Sequence, residues 1–351
     1  GGSFTTGSSD EKVFDPSAWV ESSVIAVTVN YRLGPFGFMC LPELASETGH
    51  TGNYGLYDQL TALKWIHHNI SVFGGDPDNV TVMGQSAGAM SVTHLILSPL
   101  STGLFAKAVL SSGGGVSTFL APKQPDDSYS FWRKLMNDCN VSTIEELREL
   151  SPEEIYVPWM KLCDNTKNSG LIASPVVDNI IIQKTRADDY RSGNYNHIPI
   201  MIGSNSEDVV VSVFFEMVRS FGKNVAEYVG THDCDESIRA YTYHFCRQLP
   251  GDNKGAWHSS DLWYWFGTLD KCWRDFTDTD AMLSKQMIRY LTNFAKTSNP
   301  NKDNKADEES IVVWDSTSDV AGKYMHFGDE GCVMSRVSAT KIVSNMLFKR
   351  K

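Results

Sequence analysis

Runs of apolar residues without polar alternation recur in the first third of the chain and predict buried parallel strands. Residues 24–29 (VIAVTV), 80–83 (VTVM) and 106–110 (AKAVL) are largely β-branched or apolar, which suits strands covered on both faces. Between them, apolar positions at a spacing of three to four residues predict helices over residues 57–70 and 90–96. Residues 24–115 therefore alternate between strand and helix, which predicts an α/β fold with a parallel sheet.

The rest of the chain extends this pattern. Residues 126–194 are more polar and largely helical in pattern, which predicts a helical insert within a single domain that spans residues 1–351. Residues 198–202 predict a short strand, and ESIVVW (309–314) and KYMHFG (323–328) predict late strands. Residues 282–296 predict an amphipathic helix. The fold class is therefore α/β, a mostly parallel sheet whose active site is expected beyond the carboxyl ends of the strands.

Composition narrows the possible partners. The chain of 351 residues carries 31 basic and 42 acidic side chains, a net charge of −11 that argues against nucleic acid or an anionic membrane surface. No apolar run approaches the roughly 20 residues of a membrane span. Seven cysteines without CxxC spacing indicate neither a zinc site nor a disulfide framework. We expect no metal and no organic cofactor.

The stretch NVTVMGQSAGAMSV places Ser86 between Gly84 and Gly88, where a strand passes into a helix. Such a sharp turn forces strained backbone angles on the central residue and requires small neighbours, as in the G-x-S-x-G nucleophile elbow. The N-terminus of the following helix adds N–H groups and the positive end of a dipole. Ser86 is the predicted nucleophile, and the alternative is a glycine-rich turn with an incidental serine.

A serine nucleophile needs a base and an orienting acid, which follow it in the chain in the order acid then histidine in α/β hydrolases. His258, in the loop sequence GAWHSSDL, and the pair Glu207 and Asp208, just after a predicted strand, are candidates. The residues alone also allow two other interpretations. His258 is then a surface histidine, and Glu207 and Asp208 belong to a solvated acidic loop. The histidines after Ser86 are His94, His197, His232, His244, His258 and His326.

The stretch FGGDPDNVTVMGQSAGA resembles the serine-site signature of type B carboxylesterases, which include the cholinesterases and the bacterial para-nitrobenzyl esterases. NYRLGPFGF, GNYGLYDQLTALKWI, GAWHSSDL and NFAKTSNPN, with the later Trp314, resemble further blocks of that family in the family's order. The resemblance extends from residue 1 to about residue 328. It implies an α/β-hydrolase fold and a serine carboxylesterase that acts on small-molecule carboxylic esters through an acyl-enzyme.

The resemblance assigns roles residue by residue. Ser86 matches the nucleophile and His258 the base. The family's acid is the second acidic residue of a G-x-x-x-D-E-G block, which reads GSNSEDV at residues 203–209 here. Asp208 therefore matches the acid, although Asp is one methylene shorter than Glu and Val209 stands where the family has glycine. Glu207 remains the alternative acid.

The family's oxyanion hole takes two N–H groups from an H-G-G-G-F block and one from the residue after the nucleophile. GGSF at residues 1–4 resembles this block without its leading residues, so the resemblance implies Gly2, Ser3 and Ala87 as donors. Because the family's chains begin upstream of this block, we expect this sequence to lack an N-terminal part with the first strands. An inactive fragment and a non-catalytic, cholinesterase-like binding protein are the alternatives to an esterase.

The resemblance also bears on the compartment. Cys139 matches one half of a disulfide in the animal cholinesterases, but the partner position is not a cysteine here. A reduced thiol and a bacterial-type enzyme in a reducing, cytoplasmic compartment are therefore expected. The aromatic cluster Trp257, Trp263, Trp265 and Phe266 is predicted to pack in the core more than to line a pocket.

Overall fold

A mostly parallel sheet organises the chain. The computed structural model describes residues 1–114, 121–165, 173–183, 193–208, 238–301, 311–316 and 323–336. Within these residues the sheet has the order β1-β2-β3-β4-β5-β6, in which β1 to β5 are parallel and β6 is antiparallel to β5. The strands are Thr81–Gln85, Lys107–Ser111, Ile200–Asn205, Ala240–Phe245, Lys323–Gly328 and Gly331–Arg336.

Helices cover the sheet and form the described part of the insert. In chain order, α1 to α10 are Ser17–Glu21, Gly34–Phe38, Pro42–Thr48, Tyr54–Asn69, Ala87–Leu97, Asp126–Asp138, Ile144–Glu149, Pro152–Asn165, Leu262–Phe266 and Asp278–Thr297. The helices predicted over 57–70, 90–96 and 282–296 are confirmed as α4, α5 and α10. No helix in the described ranges combines the length and the apolar content that a membrane crossing requires.

Both faces of the central strands β2, β3 and β4 are buried, as the non-alternating apolar run predicts for β2. The residues of the edge strand β1 are only partly buried, although its apolar run predicts a buried strand. On one face, Met201 and Tyr243 pack with Trp265 of α9 and Leu291 of α10. On the other face, Ile200 and Ile202 lie in a cluster with residues of α5. Neighbouring positions along β3 thus point to opposite cores, which follows from the two-residue period of a strand. The strands predicted around residues 80, 106, 198 and 323 are confirmed as β1, β2, β3 and β5.

Residues 24–29 do not form a strand, and that prediction is wrong. Ile25, Val27 and Val29 are 45%, 46% and 37% exposed. A β-branched run becomes a strand only when a neighbour pairs with its backbone. Within the described residues, β1 pairs with β2 on one side and with no strand on the other.

The predicted strand at ESIVVW is also wrong for its described part, residues 311–314, which carry no strand. The side chain of Asn301 pairs with the backbone of Trp314 in both directions: Oδ1 accepts from the Trp314 N–H at 2.6 Å, and Nδ2 donates to the Trp314 oxygen at 2.9 Å. These bonds satisfy backbone groups that a strand ladder would otherwise use. The Trp314 side chain is fully buried against the sheet.

The insert is helical through α6, α7 and α8. A capping box of Thr143 and Glu146 begins α7, and Trp132 and Trp159 bury themselves in a separate apolar cluster that includes Phe4 and Phe38. Residues 173–183 are described and are not helical, so the helical prediction ends at α8. Residues 166–172 and 184–192 lie outside the described residues.

Candidate active site

Ser86 lies at the turn between β1 and α5, with φ 58° and ψ −123°. A non-glycine residue in this left-handed region carries strain of about 1–3 kcal/mol, so the surrounding structure must enforce it. The Ser86 N–H donates to the backbone oxygen of Ser111 in β2 at 2.8 Å, and the backbone oxygen of Ser86 accepts from the Met90 N–H at 3.0 Å. The turn is thus held from the sheet on one side and from the helix on the other.

The flanking glycines give the turn its clearance. A Cβ added to Gly84 would lie 2.2 Å from the backbone oxygen of Gly88, so the strand and the helix approach too closely for any side chain. A Cβ added to Gly113, after β2, would lie 2.2 Å from the Ser86 oxygen. Backbone contact therefore requires glycine at Gly84, as the elbow interpretation predicts, and at Gly113, whereas a Cβ on Gly88 would meet only a tight contact of 3.1 Å.

His258 bridges Ser86 and Asp208. Its Nε2 lies 2.9 Å from Ser86 Oγ, and its Nδ1 is hydrogen-bonded to Asp208 Oδ1. Asp208 is 2% exposed, and its Oδ2 accepts from the Asn205 N–H at 3.2 Å. Because an ionised carboxylate only accepts, Nδ1 carries the proton and Nε2 is left as an acceptor facing the serine.

Glu207 points to a different partner. Its Oε2 accepts from the Ala256 N–H at 2.9 Å and from the Ser206 hydroxyl. The Glu207 N–H also donates to the Ala256 oxygen at 3.1 Å. Glu207 therefore anchors the loop before His258, while Asp208 contacts the imidazole.

A buried polar network beneath His258 escaped the sequence reasoning. Asp261 is fully buried and accepts from Ser111 Oγ at 2.8 Å, from Trp265 Nε1 at 3.1 Å and from Asn205 Nδ2 at 3.3 Å. Burial raises the pKa of Asp261, and the charge of Asp208 adds to this rise, while the Ser111 and Asn205 hydrogen bonds oppose it. The only signal in the sequence was an acidic residue three positions after His258.

Gln85 is a second residue that sequence reasoning missed. Its Nε2 lies 3.3 Å from His258 Nε2, on the same nitrogen that faces Ser86. An amide N–H donor there requires that nitrogen to be an acceptor, which agrees with the tautomer set by Asp208. Its place directly before the elbow serine was the available signal.

Two of the three predicted oxyanion donors, Gly2 and Ser3, lie in a short turn, Gly2–Phe4, beside α5, and the third, Ala87, is the first residue of α5. Ser3 adopts φ 54° and ψ 25°, and Phe4 is buried against Phe38 with ring centroids 4.9 Å apart. A Cβ on Gly88 would lie 3.1 Å from the Gly1 nitrogen, which places this turn against the elbow. Among the hydrogen bonds of the described residues, none uses the N–H groups of Gly2, Ser3 and Ala87.

The other histidines do not approach Ser86 in this way. His94 is buried within α5, and His244 and His326 face each other on β4 and β5. His197 lies before β3, and His232 lies outside the described residues. Of the candidates, the structure brings only His258 into hydrogen-bond contact with Ser86 within the described part of the chain.

A cavity of about 400 Å³ opens beside His258. Its lining consists of Glu207, Lys254, Trp257, His258 and Arg274. Trp265 and Phe266 belong to the core, and Trp263 packs against it, as predicted. Only Trp257 of the aromatic cluster lines this cavity, although it packs against the core as well. The cysteines in the described residues, Cys139 included, form no disulfide.

A mostly parallel sheet with a strained serine between strand and helix defines the chain as an α/β hydrolase. The chain belongs to the carboxylesterase family, a family of carboxylic ester hydrolases: the family model described as "Carboxylesterase family" matches residues 1–233 and 220–344.

Comparisons with individual proteins agree with this family. Para-nitrobenzyl esterase of Bacillus subtilis is 29% identical over 348 residues, which cover 86% of this chain and 70% of that protein. Neuroligin-2 of Mus musculus is 28% identical over 429 residues, which cover 97% of this chain and 50% of that protein. A solved structure described as a thermophilic PNB esterase superposes with a TM-score of 0.84 at 25% identity, covering 99% of this chain and 78% of that one.

Proposed function

We propose that this chain hydrolyses small-molecule carboxylic esters through an acyl-enzyme on Ser86. The observation that carries the proposal is the line of hydrogen bonds from Asp208 through His258 to Ser86, which ends 2.9 Å from the serine hydroxyl. A serine hydroxyl is a weak nucleophile until a base within this distance removes its proton. The family membership agrees with this chemistry.

In the proposed first half-reaction, Ser86 Oγ attacks the ester carbonyl while His258 Nε2 takes the hydroxyl proton. The imidazolium that forms is stabilised by the buried carboxylate of Asp208, which keeps Nδ1 protonated throughout. The tetrahedral intermediate collapses, and His258 returns the proton to the departing alcohol. In the second half, water attacks the acyl-enzyme with the same base and releases the acid and Ser86.

The negative charge of the intermediate needs donors beside Ser86. We assign these to the N–H groups of Gly2, Ser3 and Ala87, which no other hydrogen bond of the described residues uses. Ala87 is also the first residue of α5, where the helix dipole favours an anion. Each lost oxyanion donor typically costs about 10²–10³ in kcat.

The second candidate function is a non-catalytic binding role, and the similarity to neuroligin-2 over 97% of this chain is the reason to retain it. That candidate predicts a folded protein without turnover. Because Ser86, His258 and Asp208 are in contact here, we favour hydrolysis. We also propose that the chain is a single domain of a bacterial-type protein, that it is cytoplasmic, and that it binds no nucleic acid.

The test is hydrolysis of p-nitrophenyl acetate and p-nitrophenyl butyrate by the purified chain, with Ser86→Ala and the exposed Ser71→Ala as a matched control. We expect turnover that is retained in Ser71→Ala and lost in Ser86→Ala. A fluorophosphonate probe should label the wild-type chain at Ser86 and leave Ser86→Ala unlabelled. A folded chain that neither turns over nor labels would contradict the proposal and favour the binding role.

A further inference from the structure

Three metal-ligating side chains converge on neighbouring strands, and the proposed ester hydrolysis uses none of them. His244 of β4 stands opposite His326 of β5 in the parallel register. Cys246 follows two residues after His244, and its N–H donates to the Phe327 oxygen at 2.7 Å, which extends the pairing of the two strands by one step. By the two-residue period of a strand, His244 and Cys246 therefore present their side chains on the same face.

The donor atoms are close to one another. One atom each from His244, Cys246 and His326 lies within 4.8 Å of the other two, and Cys246 Sγ is 3.2 Å from His244 Nδ1. Each of the three residues is partly buried, so the cluster lies near the surface of the sheet edge where solvent reaches it. No other group of three or more such residues with this geometry occurs among the residues that the structure describes.

We propose that His244, Cys246 and His326 bind one Zn²⁺ ion. Tetrahedral zinc holds His nitrogens at about 2.0–2.1 Å and a Cys sulfur at about 2.3 Å, so its ligand atoms lie roughly 3.3–3.6 Å apart. The present separations therefore need side-chain adjustments of roughly 1 Å. Imidazole and thiolate are ligands that zinc prefers, and water completes the fourth position.

The thiol of Cys246 loses its proton to solvent as the sulfur–metal bond forms, and no electron transfer is involved. The bound ion would join β4 to β5 at the point where the chain leaves β4 and enters the segment 246–257 that leads to His258. Because the ion binds an assembled set of ligands that the unfolded chain lacks, Zn²⁺ should raise the thermal midpoint of unfolding.

An ordinary explanation of the cluster is a Cys–His hydrogen bond with a neighbouring histidine. That explanation predicts no stoichiometric metal binding and no dependence on His326. The two readings can therefore be separated by a metal titration, independently of whether the chain hydrolyses esters.

The experiment is a titration of the full chain, with its thiols kept reduced, by Co²⁺ as a spectroscopic probe. We expect one equivalent to produce a sulfur-to-cobalt charge-transfer band with the intense d–d absorption of a tetrahedral site, and we expect Zn²⁺ to remove both. Cys246→Ser should abolish the charge-transfer band, and His326→Gln should weaken binding at least roughly 100-fold, since loss of even an outer-shell partner costs 10–100-fold.

The matched control is Cys272→Ser, which removes a partly buried thiol on a different element and should leave the spectrum unchanged. Circular dichroism of each variant checks that it is folded. Absence of the charge-transfer band in the wild-type chain, or its persistence in Cys246→Ser, would overturn the proposal. Binding that His326→Gln leaves unaltered would overturn it as well.

Discussion

Replacing Asp208 with asparagine tests whether Asp208 is the triad acid, because the exchange changes only one carboxylate oxygen. In the wild-type chain, Oδ2 accepts from the Asn205 N–H at 3.2 Å while Oδ1 is hydrogen-bonded to His258 Nδ1. An asparagine of the same shape has one oxygen and one NH₂ group. Because the buried Asn205 N–H requires an acceptor, the amide oxygen should turn towards it and the NH₂ group should face the imidazole.

That orientation changes the tautomer of His258. Nδ1 must then accept a hydrogen bond, so the ring proton moves to Nε2, which faces Ser86 at 2.9 Å. A protonated Nε2 cannot take the serine proton. In a serine triad the same exchange costs about 10⁴ in kcat, so we expect kcat/KM to fall roughly 10³–10⁴-fold, or about 4–5.5 kcal/mol of transition-state stabilisation.

The assay is kcat/KM for p-nitrophenyl butyrate, with circular dichroism to confirm folding. Glu207→Gln is the matched control, because its amide oxygen can still accept from the Ala256 N–H. The geometry predicts a loss of less than about tenfold for this variant, well below the loss of the true triad acid. A larger loss in Glu207→Gln than in Asp208→Asn would show that Asp208 is not the triad acid and would identify Glu207 as the acid.

Two further predictions concern folding. Gly84→Ala places a Cβ 2.2 Å from the Gly88 oxygen, so it should destabilise the chain by about 1–3 kcal/mol or more and lower the thermal midpoint; an unchanged midpoint would contradict the close contact. Burial alone would raise the pKa of Asp280, but hydrogen bonds from Arg247, Tyr264 and Thr277 prevail and lower that pKa to about 2. Its ionised form therefore stabilises the fold above its unfolded pKa near 4, and this contribution is lost as pH falls from about 4 to 2. In urea unfolding, Asp280→Asn should be less stable than the wild-type chain by about 2 kcal/mol at pH 7. If this difference in the free energy of unfolding does not narrow at pH 3, the ionised carboxylate of Asp280 is not its source.

Local patterns were enough to predict the elements around Ser86. The apolar run before it, the two glycines and the helical spacing after it depend on residues that are neighbours in the chain. The same holds for α4 and α10, whose apolar faces repeat over several turns. The wrong predictions concern segments whose structure depends on distant partners. Residues 24–29 have no strand to pair with among the residues that the structure describes, and Asn301 satisfies the backbone of Trp314.

The candidate site divides in the same way. Ser86 and His258 could be proposed from chain order and from the family resemblance, but the residues alone could not choose between Glu207 and Asp208. Which of the two contacts His258 depends on the partner of the loop before His258. Ala256 of that loop is hydrogen-bonded to Glu207, which leaves Asp208 to contact the imidazole. The cluster of His244, Cys246 and His326 was invisible for a similar reason, because a strand register between distant segments creates it.

Asn205 links the acid and the base more directly than either sequence block suggests. Its backbone N–H donates to Asp208, and its side-chain Nδ2 donates to the Trp257 oxygen at 2.7 Å, immediately before His258. The same Nδ2 lies 3.3 Å from buried Asp261, which is itself held by Ser111 of β2. Since one buried residue at the end of β3 contacts both segments, a shift of Asn205 would move Asp208 and His258 together. The distance between acid and base is therefore set at the end of β3.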